Sequence, residues 1–379
     1  MDFDLSEEHR LIQETAYRFA VNEIAPQAKE CDRAEKYPRE IVRQAAELGF
    51  VGPTIPEEYG GAGYGFFEHS LIVEQMARVD LGITQAIESA AFGSQNIVFF
   101  GTEEQKQKHL PPLAAGEMIA AGAYTEPDAG TDIAAARTKA VREGDQWVIT
   151  GNKMFITNGT VCDFMAVFCL TDPAAASPYE RHSLILVESG LPGLSATPIK
   201  GKMGLRASDT AEVAFEGVRA PAANLIGKQG QGFKQLMHFF DATRTVVASQ
   251  GVGLAQGALD LAIAYAKERI TFGRPLINNQ AIQFTLAEMA TRIEMARMAT
   301  YRAAWLVDQG RPNPRLNSMA KYYAGETAVW VCDQALQLHG GYGYIDEYDI
   351  QRFYRDAKIL EIYEGTKEAE KMVIAKRTI

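Results

Sequence analysis

The sequence predicts an α+β protein that is mostly helical, with helix at both ends and a β segment between them. Three observations carry this. Apolar residues recur at helical spacing over residues 1–120 and again over 233–379. Residues 121–232 instead show short β-branched and aromatic runs separated by turn signals. The order is helical, β, helical, without strand–helix alternation, so a Rossmann domain is not expected. The division that follows is an N-terminal helical domain (1–120), a middle β domain (121–232) and a C-terminal helical bundle (233–379).

In the first segment Leu5, Ile12, Ala16 and Phe19 share one helix face. FVGPTIPEEYGGAGYG, punctuated by glycine and proline, reads as a long loop. LIVEQMARVD and ITQAIESAAFGSQNIVFFG return to helix. In the middle segment GDQWVITGNKMFITNG has hairpin-like turn signals. DFMAVFCL, HSLILVES, LSATPIK and AEVAFEGV read as further strands. In the last segment Phe240, Val247, Gly251, Leu254, Ala258, Leu261 and Tyr265 step by seven, four and three. Ile282, Leu286, Met289, Ile293, Ala296, Thr300, Ala303 and Val307 do the same. Two long helices followed by more helix argue for a bundle.

With 47% hydrophobic residues, the 379-residue chain can bury a large core. Its net charge of -10 argues against a nucleic-acid partner, which calls for a basic footprint. Local arginines remain free to hold an anionic small ligand. Cys31, Cys162, Cys169 and Cys332 lack metal-type spacing and read as reduced thiols, so no metal and a cytoplasmic location are expected. The start, MDFDLSEEHR, lacks the apolar run of a signal peptide. No stretch of ~18 apolar residues stands out, so no membrane span is expected. GxSxG, HExxH and P-loop patterns are absent, which leaves hydrolase readings without support.

Several short stretches carry candidate chemistry. YTEPDAGTD (124–132) offers the hydroxyls of Thr125 and Thr131 and a bend at Gly130 that suits a pyrophosphate or flavin edge; alone, it is a polar loop. In MFITNG (154–159) Phe155 could stack on a ring and Thr157 could donate to it, although the composition is ordinary for a strand. Asp241 and Arg244 are three apart on a helix, as a structural ion pair or as the polar end of a ligand site. Arg269 and Arg274 in ERITFGRP suit phosphate or cap a helix. QLHGGYGY brings backbone close to something, and its lone His339 is given no role. In EIYEGTKE, Glu364 beside Gly365 reads either as a charged helix end paired with Lys358 and Lys367 or as a base on a turn.

Together these segments resemble the acyl-CoA dehydrogenase family over essentially the whole chain. YTEPDAGTD looks like the family's first signature and QLHGGYGYIDEYDIQRFYRDAKILEIYEGT like its second. FITNG, ATRTVVASQGVGLAQGALDLAIAYAKERITFGRPL and QAIQFTLAEMA lie between them in the family order. Short- and medium-chain members look closest, because Glu364 holds the base position while the alternative one carries Thr243.

The resemblance implies an N-terminal helical domain, a middle β domain and a C-terminal four-helix bundle, assembled as a homotetramer. It implies FAD between the β domain and the bundle, partly held by a neighbouring subunit. Glu364 then matches the catalytic base. Thr125, Thr131, Phe155 and Thr157 match flavin and pyrophosphate contacts. Arg269, Thr271, Gln280, Gln337 and Gly341 match contacts to the neighbouring subunit's FAD. Thr366 and Glu368 lie beside the cofactor. Asp241 and Arg244 match positions that hold the CoA portion; Thr131 and Gly365 also face substrate. Glu88 and Ala91, in a helix over 83–93, match the far end of the acyl pocket. Two departures stand out: Phe155 replaces a common tryptophan, and EGTKEAEK replaces the commoner EGTSEIQ type.

The expected reaction is α,β-dehydrogenation of an acyl-CoA, with the α-proton going to Glu364 and the β-hydride to flavin N5. A medium-chain or alicyclic acyl group is expected, with electron-transferring flavoprotein as acceptor. An enoyl-CoA reductase using the same site in reverse, and a non-enzymatic acyl-CoA-binding subunit, are the alternatives.

Overall fold

The computed structural model describes residues 4–379. α1 (Glu7–Phe19) starts at Ser6, whose hydroxyl accepts the His9 N–H at 3.1 Å. It buries Ile12, Ala16 and Phe19, the expected face. One π-helical turn (Ala20–Ile24) leads into α2 (Ala25–Ala34), where Pro26 sits in the first turn and removes a backbone donor. α3 (Arg39–Glu47) precedes the glycine- and proline-rich loop, after which come α4 (Phe66–Ala77), α5 (Leu81–Glu88), α6 (Ser94–Phe100) and α7 (Glu103–Ala114).

One expectation fails here: the helix over 83–93 stops at Glu88. Ala120 N–H donates to Ala90 O at 2.7 Å, and Ala91 bridges Ala120 in parallel. The chain is drawn out of the helix to meet the sheet, and Gly93 then turns it with φ 92°.

The strands are β1 (Ala120–Ala123), β2 (Lys139–Glu143), β3 (Gln146–Thr157), β4 (Phe164–Leu170), β5 (His182–Glu188), β6 (Leu194–Pro198), β7 (Thr210–Pro221) and β8 (Leu225–Ile226). They form one sheet in the order β6-β7-β3-β2-β4-β5-β8, with β1 parallel to β4. The sequence reading missed β1, β2 and β8. β1 is AAGA, with no β-branched residue; parallel pairing and complete burial hold it. The β3–β7 register shifts between Lys153 and Ile156, and within that bulge Phe155 takes φ 59°.

The C-terminal part comprises α8 (Gly232–Glu268), a small hairpin of β9 (Ile270–Thr271) and β10 (Arg274–Pro275), α9 (Gln280–Asp308), α10 (Pro314–His339), α11 (Ile350–Ala357) and α12 (Lys367–Thr378). Val247, Leu254 and Ala258 of α8 pack with Met289 and Ile293 of α9 and Ala324 and Val331 of α10. α8 also runs under α4, where a Cβ at Gly257 would overlap the Arg78 carbonyl. By length and composition α8 is apolar enough to cross a membrane, which corrects the expectation that no segment is. Of its most apolar window, 78% is buried inside the protein.

Candidate active site

After α11 and a short 3-10 turn (Lys358–Glu361), the chain reverses at Glu364 (φ 49°) and Gly365 (φ 106°) before Thr366 caps α12. A non-glycine residue with this φ is strained and must be held by its surroundings. Three helices hold it. From α8, Thr243 Oγ1 donates to Glu364 Oε2 at 2.8 Å, and Arg244 Nε donates to Glu364 O at 3.4 Å. From α10, Lys321 Nζ donates to Gly365 O. From α12, Glu370 pairs with Arg244 Nε at 3.0 Å and lies where any side chain at 365 would have to go. The lysines expected near Glu364 go elsewhere: Glu361 takes Lys358 and Lys367.

Burial pushes the Glu364 carboxyl up; the Thr243 hydrogen bond and the Arg244 and Lys321 charges oppose it, and Glu370 adds to it. Glu88, at the end of α5, keeps some accessible surface, yet burial and then the Glu364 charge push it up to about 8. Two acids thus share one enclosure, and burial works against the ionised form of both. Burial first, and then nearby carboxylates including Glu364, hold Tyr363 and Tyr124 neutral. The Tyr363 hydroxyl donates to Gln250 and, at 3.3 Å, to Gln85. The enclosure beside Glu364 is therefore polar on this side, with hydrogen-bonding groups from α5, α8 and the Tyr363 turn.

Arg244 also pairs with Asp241 at 3.1 Å, so the helical ion pair exists alongside its contact with the turn. Asp241 lines a cavity of ≈ 470 Å³ with Thr54, Tyr64, Gln95 and Phe99, which opens onto the same end of α8. Ala91 is buried with its methyl toward Gly52 and its backbone on Ala120.

Thr125, Phe155 and Thr157 meet at the β1 end and the β3 bulge, where Met154 N–H donates to Thr125 O at 2.9 Å. The left-handed backbone of Phe155 turns its ring outward, 63% exposed. Thr131 is exposed nearby in the same loop. Beneath this loop lies a lock absent from the sequence reading. Lys153, fully buried, donates to Tyr124 O at 3.0 Å and to Glu126 Oε1 at 2.9 Å. Glu126 also accepts the Arg137 and Thr138 N–H groups. A flat exposed ring, flanked by threonine hydroxyls on a rigid loop, fits an aromatic cofactor with a polar edge.

Arg269, Thr271, Gln280, Gln337 and Gly341 form a separate patch. Arg269 lies over the Tyr342 ring at 5.7 Å, which ties the β9–β10 hairpin to the Gly341 loop. Arg269, Gln280, Gln337 and Gly341 are exposed, and the Thr271 hydroxyl is buried without a partner. From Arg244 to this hairpin α8 rises on the order of 35 Å. The Glu364 turn is thus far from this patch in the same chain. Thr366 spends its hydroxyl on the Ala369 N–H at 3.2 Å, as a helix cap, and Glu368 is exposed on the first turn of α12. His339 is structural: it bonds Ala335 O at 2.7 Å and stacks on Tyr265.

Comparison with known proteins accords with this geometry. The descriptions "Acyl-CoA dehydrogenase, N-terminal domain", "middle domain" and "C-terminal domain" match residues 6–117, 121–218 and 230–379. The chain is 43% identical to the short-chain-specific acyl-CoA dehydrogenase of Clostridium acetobutylicum, over 99% of both chains. It is 42% identical to the acryloyl-CoA reductase (NADH) of Anaerotignum propionicum, over 100% of this chain and 96% of that one. Among solved structures it superposes with a TM-score of 0.95 on butyryl-CoA dehydrogenase from Megasphaera elsdenii, 37% identical over the whole of both chains.

Proposed function

The chain belongs to the acyl-CoA dehydrogenase family, a family of flavin-dependent oxidoreductases, and on that premise we propose that it carries out FAD-dependent α,β-dehydrogenation of an acyl-CoA thioester with Glu364 as the base. The observation that carries this reading is the Glu364 turn: a strained, enclosed carboxylate held at one oxygen by Thr243 and free at the other. A thioester α-proton is weakly acidic, so the base needs a pKa near operating pH and a stabilised enolate. Burial moves the Glu364 carboxyl upward, in the direction the first requires. The backbone N–H of Glu364 is the donor proposed for the thioester carbonyl.

The bound flavin supplies the acceptor for the β-hydride, and this chain's residues do the rest. Phe155 would stack against it, and Thr125, Thr131 and Thr157 would offer it hydroxyls. Arg269, Thr271, Gln280, Gln337 and Gly341 serve the FAD of a neighbouring subunit in a homotetramer. Exposed Phe272, Phe284 and Tyr344 near this patch support such an assembly, since they leave a large apolar face to be covered. Asp241 and Arg244 stand at the entrance used by the CoA portion. Glu88 and the tyrosines beside it bound the acyl end, which suits a medium straight chain or compact ring and disfavours a long one. An electron-transferring flavoprotein is the proposed electron acceptor, and the cytoplasm the proposed location. All four cysteines are buried and unpaired, which supports the latter.

A second reading, enoyl-CoA reduction, draws support from the similarity to acryloyl-CoA reductase. The same residues serve it, with protonated Glu364 returning the proton to the α-carbon. Anaerobic titration of the yellow protein with butyryl-, hexanoyl-, octanoyl-, palmitoyl- and cyclohexanecarboxyl-CoA tests the first reading. Bleaching by a medium or cyclic thioester is expected, with little response to palmitoyl-CoA. Absence of bleaching by any of them contradicts it, and reoxidation of chemically reduced protein by an enoyl-CoA would favour the second.

A further inference from the structure

We propose that Lys321 and Glu370 are positioning residues that clamp the Glu364–Gly365 turn from beneath and hold the base in its working orientation, a role that rests on Glu364 being that base.

Both are charged residues with almost no exposure, 1% for Lys321 and 0% for Glu370. Burying two charges is costly unless each is closely paired. Their partners are unusual. Lys321 spends a donor on a backbone carbonyl, that of Gly365. Glu370 has Arg244 as its ion-pair partner at 3.0 Å, and neither of its oxygens accepts a hydrogen bond among the described residues. A structural ion pair could sit anywhere in the bundle. These two converge on one glycine, the lysine at its carbonyl and the carboxylate against its α-carbon. The peptide that follows the base is thereby fixed from α10 and α12, while Thr243 and Arg244 fix the base itself from α8.

The charges also matter. The groups facing Glu364 are Thr243 and Arg244 on α8, Lys321 on α10, Glu370 on α12, Glu88 on α5, and Tyr124 and Tyr363. Burial holds the tyrosines neutral, and burial and then the Glu364 charge push Glu88 up to about 8. Arg244 is itself shared with Asp241. Lys321 therefore favours the ionised base and Glu370 opposes it, so removing each charge moves the base in opposite directions. Lys321 is itself pushed down to about 8 by burial, so the clamp keeps its positive charge across the acid limb.

The experiment is the pH dependence of kcat/KM for flavin-loaded wild type, K321M, E370Q and E364Q. Flavin content and melting temperature are measured alongside. Turnover should be lost in E364Q. In K321M, kcat should fall about tenfold or more with KM within about threefold. The acid-limb pKa should rise in K321M and fall in E370Q, by about 0.5 or more. A general loss of packing would not move the two variants in opposite directions. E370Q keeps the shape of Glu370, so it decides the matter even if K321M does not fold. An E370Q profile identical to wild type, or shifted upward, overturns the clamp while an inactive E364Q leaves the base reading intact. Retained turnover in E364Q overturns the base reading and the clamp with it.

Discussion

The two ends of α8 carry the two halves of the proposed chemistry, and they are built in opposite ways. At the N-terminal end, Thr243 and Arg244 meet Glu364, Lys321 and Glu370 in a cluster that is closed within one chain. At the C-terminal end, Arg269 and its neighbours are exposed beside Phe272, which is 103% exposed. The first set of groups is paired and enclosed; the second offers an arginine packed over the Tyr342 ring, exposed amides and exposed apolar rings. On the proposed function, the difference means that the base would be a property of the single subunit, whereas flavin retention at the far end would depend on the assembly. A bundle with long parallel helices can separate the two by the length of one helix.

Gly365→Ala attacks the closed end and should have the largest effect. The new methyl meets Glu370 at a left-handed backbone position, so the turn must shift. Turnover should fall at least about hundredfold, about 2.7 kcal/mol of barrier, with flavin retained. Steady-state rates per bound flavin measure this, and a variant within twofold of wild type would break the view that the turn is fixed. Arg269→Ala attacks the open end. Flavin retention should weaken about tenfold and become concentration-dependent, because anything that binds only the assembled state stabilises it by mass action. Gel filtration with a flavin-to-protein ratio across a dilution series reads it. The rate per remaining flavin should stay near wild type, and if it falls as far as in the glycine variant, the two ends are not separable.

Glu88→Gln is the smallest and sharpens the closed end. With its pKa raised by burial, Glu88 contributes stability that is complete below its ordinary range near 4.5 and is lost as pH rises through about 8. Glutamine has no such loss. Relative to wild type, the variant should therefore gain on the order of 1–2 °C in melting temperature between pH 5 and 9. A difference that is flat across that range would place Glu88 in water, outside the enclosure.

Much of this was legible in the sequence, for identifiable reasons. Helical periodicity marks a buried face directly, so Val247, Leu254, Met289 and Ile293 fell in the core as expected. Glu364 was legible as a motif, with a glycine beside it that a turn requires. What the sequence hid is burial of charge. Lys153, Lys321 and Glu370 carry no signal of it in the sequence, and the partners of the two lysines are distant: Glu126 lies 27 positions from Lys153, and Gly365 lies 44 from Lys321. The one available sign was EGTKEAEK itself, which puts a charged Glu370 where the resemblance led one to expect an amide. β1 was hidden because alanine and glycine carry no strand signal, and the same strand draws Ala90 and Ala91 out of the helix expected over 83–93.

The central claim is that Glu364 removes the α-proton. It can be tested apart from electron transfer with a 3-thia-acyl-CoA, whose β-position is sulfur and has no hydride to give. Flavin-loaded protein is incubated with this thioester in D2O, and loss of the α-proton signal is followed by NMR. The account predicts ready exchange in wild type and exchange slower by about a thousandfold in Glu364→Gln. A glutamine variant that binds the thioester and exchanges its α-proton within about tenfold of the wild-type rate would contradict it.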